Sequence, residues 1–126
     1  MPNLKKWIFN QKNLQFNASK IDRNSISGLE SKFEILKSWA MLARTGEIKL
    51  KKETEMQGFF LHDVFSTVLC YSKFTTSPKI WNLNQEQSTA GGKFADGSLG
   101  YFTENRTDIR VVIELKDANT NLDEKQ

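Results

Sequence analysis

The 126-residue chain has one cysteine, one histidine and two prolines, and it has no long apolar run. A lone cysteine, Cys70, forbids an internal disulfide and fits a reducing cytoplasm. It lies in Val68-Leu69-Cys70-Tyr71, an apolar setting that predicts a buried, inert thiol rather than a nucleophile. His62 has no serine or cysteine motif to serve, so it reads as a surface side chain rather than a general base. No stretch approaches the ~20 apolar residues that cross a bilayer. Trp7-Ile8-Phe9, behind Lys5 and Lys6, is too short for the core of a signal peptide. Membrane partners are therefore not expected, and a cytoplasmic location is. The chain contains no internal repeat and no low-complexity segment.

What is present is aromatic and charged. Nine Phe and three Trp are enough large side chains for a sizeable core. The net charge of +3 is divided unevenly. Residues 1–52 hold 11 Lys and Arg against 4 Asp and Glu, whereas residues 53–126 hold 7 against 11. A basic half can track a phosphate backbone and an acidic half can hold metal; a solvated helical surface explains the basic half equally well. Length allows one domain. Within it, 1–48 reads as a basic helical segment and 49–126 as the chemical core.

Periodicity orders the elements. Leu4 and Ile8, with Trp7 beside them, suggest a short helix, and the polar run from Asn10 to Asn24 reads as loop. Ser27-Gly28-Leu29-Glu30 has the form of a capping box opening a helix over 27–45. Its stripe is Leu29, Phe33, Leu36, Ala40 and Ala43, with Trp39 alongside. A second helix, 49–72, carries Leu61, Val64, Phe65 and Val68. Helix phase turns Glu53 towards that stripe and Glu55 away from it. After Pro78 the period drops to two. Strands are expected at 80–85, 94–103 and 108–116, with turns at Ala90-Gly91-Gly92 and Glu104-Asn105-Arg106. On the last strand Ile109, Val111, Ile113 and Leu115 form an apolar row, which predicts a central strand. The fold class is α+β: N-terminal helices, then a three-stranded antiparallel meander.

Chemistry concentrates at Asp96 and at Glu114-Leu115-Lys116. Glu114 and Lys116 share the strand face opposite the apolar row. A turn centred on Asn105 would set Asp96 directly across from Glu114, with Cβ atoms about 4.5–5.5 Å apart. Two such carboxylates repel unless a cation lies between them, and Mg²⁺ is typically held by one or two carboxylates while keeping several waters. Lys116 would stabilise charge beside it and help to activate a water. Glu-x-Lys on a strand also arises by chance on a solvated face with cross-strand ion pairs. Lys49, Lys51 and Lys52 open the second helix against its dipole, which favours a role such as DNA contact. Lys93 and Arg106, at loop ends, read either as phosphate contacts or as solvated charge.

Four segments carry a family resemblance: Lys52-Glu53-Thr54-Glu55 leading into Phe60-Leu61-x-x-Val64-Phe65-x-x-Val68-Leu69-Cys70-Tyr71; Phe94 to Phe102; Val111-Val112-Ile113-Glu114-Leu115-Lys116; and Leu122-Asp123-x-x-Gln126. Together they resemble the N-terminal nuclease region of type IIG restriction–modification enzymes, within the PD-(D/E)XK endonuclease superfamily. The resemblance implies a Mg²⁺-dependent hydrolase that cuts double-stranded DNA. Asp96 and Glu114 would bind the metal, Lys116 would be the catalytic lysine, and Glu53, or alternatively Glu55, the helix carboxylate. Ala95 stands where the family has Pro, and Cys70 where its Leu-Gly-Tyr has Gly. That fold is αβββαβ and needs another helix and strand after the catalytic strand, so a truncated core is expected, one that can be inactive alone. It could pair with a second copy through an exposed sheet edge. The methyltransferase and specificity domains of such an enzyme would be partners, because the chain lacks an Asn/Asp-Pro-Pro-Tyr motif and a glycine-rich cofactor loop. The alternative is a non-catalytic DNA- or protein-binding module whose acidic face is incidental.

Overall fold

A computed structural model describes residues 9–117 and 119. The expected positions Leu4, Trp7 and Ile8 and the Leu122-Asp123-x-x-Gln126 segment lie outside them. The chain divides into two compact units, 1–31 and 32–126.

In the first unit, Gln11–Ser19 forms a helix, α1, where a loop was expected. The polar composition is outweighed by local chemistry. Asn10 caps the helix through its Oδ1, which accepts from the Lys12 and Asn13 amides at 3.0 and 3.2 Å. No glycine or proline interrupts the run. All of its residues are exposed, so it draws nothing from core burial. A 3₁₀ turn, Arg23–Ser25, follows. Helix α2, Leu29–Thr45, begins at the end of this unit and runs into the next.

In the second unit α2 turns a different stripe inward from the one expected. Ile35, Trp39 and Leu42 are half-buried, whereas Phe33, Leu36, Ala40 and Ala43 are exposed. Trp39 accounts for the change. Its Nε1 donates to Asp63 Oδ2 at 3.0 Å, and its ring meets Phe60 edge-to-face at 5.3 Å between centroids. The largest apolar side chain on the helix, with a donor that needs a partner, sets the rotation.

The second helix is also shorter and less uniform than its pattern suggests. A 3₁₀ turn, Glu47–Leu50, precedes α3, Glu53–Phe60. Lys49, Lys51 and Lys52 therefore lie before the helix rather than in its first turn. Glu55 starts α3 by reaching back, its Oε2 accepting from the Lys52 amide at 2.9 Å. From Leu61 to Val68 the winding widens to a π-helix, which ends as the Leu69 amide donates to the Val64 carbonyl five residues back. Leu61 is buried here, and Val64, Phe65 and Val68 are half-buried, as the periodicity predicts. Among the described residues no helix is long and apolar enough to cross a membrane.

Cys70 is exposed, not buried. It ends the helical run in the left-handed region, φ +65°, and its Sγ lies 3.1 Å from Lys32 Nζ. A side chain in that conformation costs about 1–2 kcal/mol that glycine avoids. Cys70→Gly should therefore raise stability by about 1 kcal/mol, a gain of roughly 3–5 °C in Tm by calorimetry.

The sheet is the expected antiparallel meander, β1 (Trp81–Ser88), β2 (Phe94–Thr103) and β3 (Arg106–Ile113), in that spatial order. Gly91 and Gly92, at φ +94° and +75°, form the first turn. The central strand is β2. β3, expected to be central, is an edge strand among the described residues, and its apolar row is broken. Ile113 is buried and Leu115 packs against the core, but Val111 is 49% exposed. The break is a bulge. Gly100 pairs with Ile109 while Leu99 pairs with Val111, leaving Arg110 as an extra residue on β3. Leu61, Leu83, Leu99 and Ile113, with Phe65 and Leu115 against them, make the core between the π-helix and the sheet.

Candidate active site

The bulge decides what faces what. The β2–β3 turn is the two-residue Glu104-Asn105, with Thr103 opposite Arg106, rather than a turn centred on Asn105. Continued without interruption, that register would set Asp96 against Ile113. The extra residue at Arg110 moves β3 by one position, so that Gly97 pairs with Ile113. Asp96 and Glu114 are the next residues outward on the two strands.

Asp96 is half-buried and anchored. Its Oδ2 accepts from the Leu115 amide at 2.6 Å, extending the strand association past its last backbone pair. One carboxylate oxygen is thereby fixed to the centre of Glu114-Leu115-Lys116. Lys116 Nζ lies 3.2 Å from Glu114 Oε1, with 36% of the lysine side chain and 64% of the glutamate exposed.

The charge on Lys116 is supported from several sides. The hydrogen bond to Glu114 and the charge of Glu114 raise its pKa above the ordinary lysine value; burial opposes them less strongly, and the Glu53 and Asp96 carboxylates add smaller increments still. A raised amine pKa favours the folded state below the unfolded-state lysine value, and that support is lost as pH climbs through the folded one. At neutral pH Lys116 is thus a cation beside carboxylates, suited to stabilising negative charge rather than to removing a proton.

Glu53 and Lys116 line one cleft of about 220 Å³. Glu53 Oε1 accepts from Gln57 Nε2 at 3.1 Å, whereas Glu55 is exposed and occupied as the α3 cap. The apolar part of the cleft lining is Trp39, Ile48, Met56, Phe60 and Leu115. Its polar lining is Lys51, Lys52, Glu53, Gln57, Lys116 and Asp117. The sequence did not single out Ile48, Met56 or Gln57 for a site, and it showed Trp39 only as a neighbour of the helix stripe. The contact of Trp39 with Phe60, 21 positions on in the chain, is what builds that apolar lining.

The remaining basic residues are scattered. Lys49 is exposed, and its carbonyl accepts from Asn119 Nδ2 at 3.4 Å. Lys93 is exposed one residue before β2, near the Asp96 end. Arg106 starts β3 at the other end, about seven residues along and roughly 23 Å away at strand rise. Its guanidinium is also paired, 2.8 Å from Asp108, which Arg110 contacts at 3.0 Å. Among the described residues no three His, Cys, Asp or Glu side chains converge as a metal-holding group. Any metal here would rest on one or two carboxylates. Comparison with family models, with curated proteins and with solved structures finds no match for the chain.

Proposed function

We propose that the second unit carries the catalytic face of a Mg²⁺-dependent DNA endonuclease of the restriction–modification type, hydrolysing phosphodiester bonds in double-stranded DNA. The observation that carries the reading is Lys116, whose amine lies 3.2 Å from Glu114 Oε1 and has its pKa raised chiefly by Glu114, with small additions from Glu53 and Asp96. It is joined by the tie from Asp96 to the Leu115 amide and by the resemblance of these segments to type IIG nuclease regions. The donor set suits Mg²⁺, a hard ion that takes one or two carboxylates and keeps its remaining waters. Asp96 and Glu114 would hold it. Asp96 has Oδ2 engaged and Glu114 has Oε1 engaged, and among the described residues the second oxygen of each accepts no hydrogen bond. When bound, the metal polarises the phosphodiester and makes water a better nucleophile.

The chain's own residues do the rest. Lys116 holds positive charge where the phosphate gathers negative charge. Glu53 adds a carboxylate to the amine's surroundings from the helix side. Lys51, Lys52, Lys49 and Lys93 supply exposed positive charge for the DNA backbone, and Arg106, at the far end of the sheet, is a poorer candidate. The cytoplasm, the compartment in which restriction acts, belongs to the same reading, as do methyltransferase and specificity domains acting with this one.

Calorimetric titration tests it. The chain should bind Mg²⁺ or Ca²⁺, and Glu114→Gln should weaken that affinity at least tenfold. Extended through a further helix and strand, the chain should nick supercoiled plasmid in Mg²⁺, and Lys116→Ala in that longer form should spare it. A chain that binds neither ion, with an extended form that nicks nothing, would be left as a DNA- or protein-binding module with an incidental acidic face.

A further inference from the structure

We propose that the cleft beside Lys116 is a nucleotide pocket that takes one unpaired nucleobase, with the attached phosphate over the lysine rim. The inference rests on the nuclease reading only in naming the strand that would supply the base.

The cleft is built before any ligand arrives. Trp39 cannot swing to close it, because its Nε1 is bonded to Asp63 and its ring is braced edge-to-face against Phe60. Trp39, Phe60 and Met56 give the cleft an aromatic and polarizable lining, the chemistry that favours a nucleobase. The rim has the complementary charge. Lys51 and Lys52 form no ion pair among the described residues, and Lys116 adds a third cation. Glu53 and Asp117 also line the cleft, so its three lysines leave one net positive charge, carried by Lys51 and Lys52 because Lys116 is paired with Glu114; an apolar lining with that excess fits a flat ring bearing an anion. One polar group can read the ring's edge. Gln57 spends its Nε2 on Glu53, while its amide oxygen accepts no hydrogen bond among the described residues, so it can take an exocyclic amine.

Size selects among such ligands. At about 220 Å³ the cleft is smaller than the roughly 300–1,000 Å³ of pockets for drug-sized molecules. It has room for one ring system with its sugar and not for a base pair. A duplex would therefore have to present an extruded or terminal base.

The test uses the full chain in EDTA, so that hydrolysis plays no part. The probe is a short single-stranded deoxyoligonucleotide carrying one 2-aminopurine, read by fluorescence. A saturable change is expected, at least tenfold weaker when the same base is paired mid-duplex. Met56→Trp, which fills the cleft, should weaken binding at least tenfold and leave Ca²⁺ titration unchanged. The surface pair Lys51→Ala/Lys52→Ala should weaken it several-fold and flatten its salt dependence. Unaltered binding by both variants would overturn the proposal, and so would 1-naphthyl phosphate competing as well as dAMP. If wild-type chain binds the oligonucleotide in this way but binds no Ca²⁺, the pocket stands and the nuclease reading falls.

Discussion

Gly100→Ala is expected to cost about 3 kcal/mol, the upper end for forcing atoms into a packed site, and to disturb the candidate metal site some distance away. A Cβ on Gly100 would overlap the Asp108 carbonyl oxygen and lie 3.0 Å from its carbon and 3.2 Å from the Arg110 amide nitrogen. These are backbone atoms at the bulge, so no side chain can rotate out of the way. Gly100 is itself buried in the central strand. Against a typical domain stability of about 5–15 kcal/mol, the loss is large. The substitution can be relieved by moving β3 away or by expelling the extra residue. Expulsion would extend the turn-end register through the strand, set Asp96 against Ile113, and send Glu114 to the other face. Urea denaturation followed by tryptophan fluorescence should show a lower midpoint, and calorimetry weaker Mg²⁺ binding. An unchanged midpoint would mean that the bulge does not depend on a glycine at this position.

This dependence explains why the candidate site was legible in the sequence for an incomplete reason. Opposition of Asp96 and Glu114 follows from counting through a three-residue turn. The chain reaches the same offset with a two-residue turn and one bulged residue. A bulge leaves little trace in composition: Gly97 and Gly100 in an otherwise good strand each allow one, and neither says on which strand the extra residue falls. Elements set by local chemistry were read well. The β2 bounds, Phe94–Thr103, follow from glycine-rich and polar turns on either side of a run of alternating residues. The inward turn of Glu53 relative to Glu55 follows from helix phase. Features set by distant partners were not legible. The rotation of α2 depends on Trp39 finding Asp63 and Phe60, and neither is signalled near residue 39. Exposure of Cys70 depends on a left-handed helix end, and an apolar neighbourhood in sequence gave the opposite impression. The edge position of β3 is likewise a matter of which strands are neighbours, which an apolar row alone does not determine.

Asp96 should separate folding from chemistry when its two oxygens are removed in different ways. Oδ2 is engaged by the Leu115 amide, and the proposed role needs the negative charge and the other oxygen. Asp96→Asn keeps an oxygen that can accept from that amide and removes the charge. It is expected to melt within a few degrees of the parent, lose Mg²⁺ affinity at least tenfold, and, in the extended form, lose about 10²-fold or more in plasmid nicking, the scale on which one charge-stabilising group acts. Asp96→Ala removes the acceptor as well. The Leu115 amide then loses its partner at a part-buried site, which costs about 1–3 kcal/mol beyond the loss of metal. The segment Glu114-Leu115-Lys116, held beyond the last backbone pair by that bond and by the packing of Leu115 on the core, would be loosened, and Lys116 would lose the extended geometry that keeps its amine against Glu114 Oε1. Both variants should therefore be deficient in metal binding, Ala at least as much as Asn because it also loosens Glu114, and they should differ in melting temperature and in the Lys116 titration, followed by NMR at its side-chain carbons. In Asn the titration should stay above the ordinary lysine value, held there by Glu114. In Ala it should fall towards that value. Equal melting temperatures and equal Lys116 titrations would show that the Asp96–Leu115 bond does not hold the catalytic segment in place.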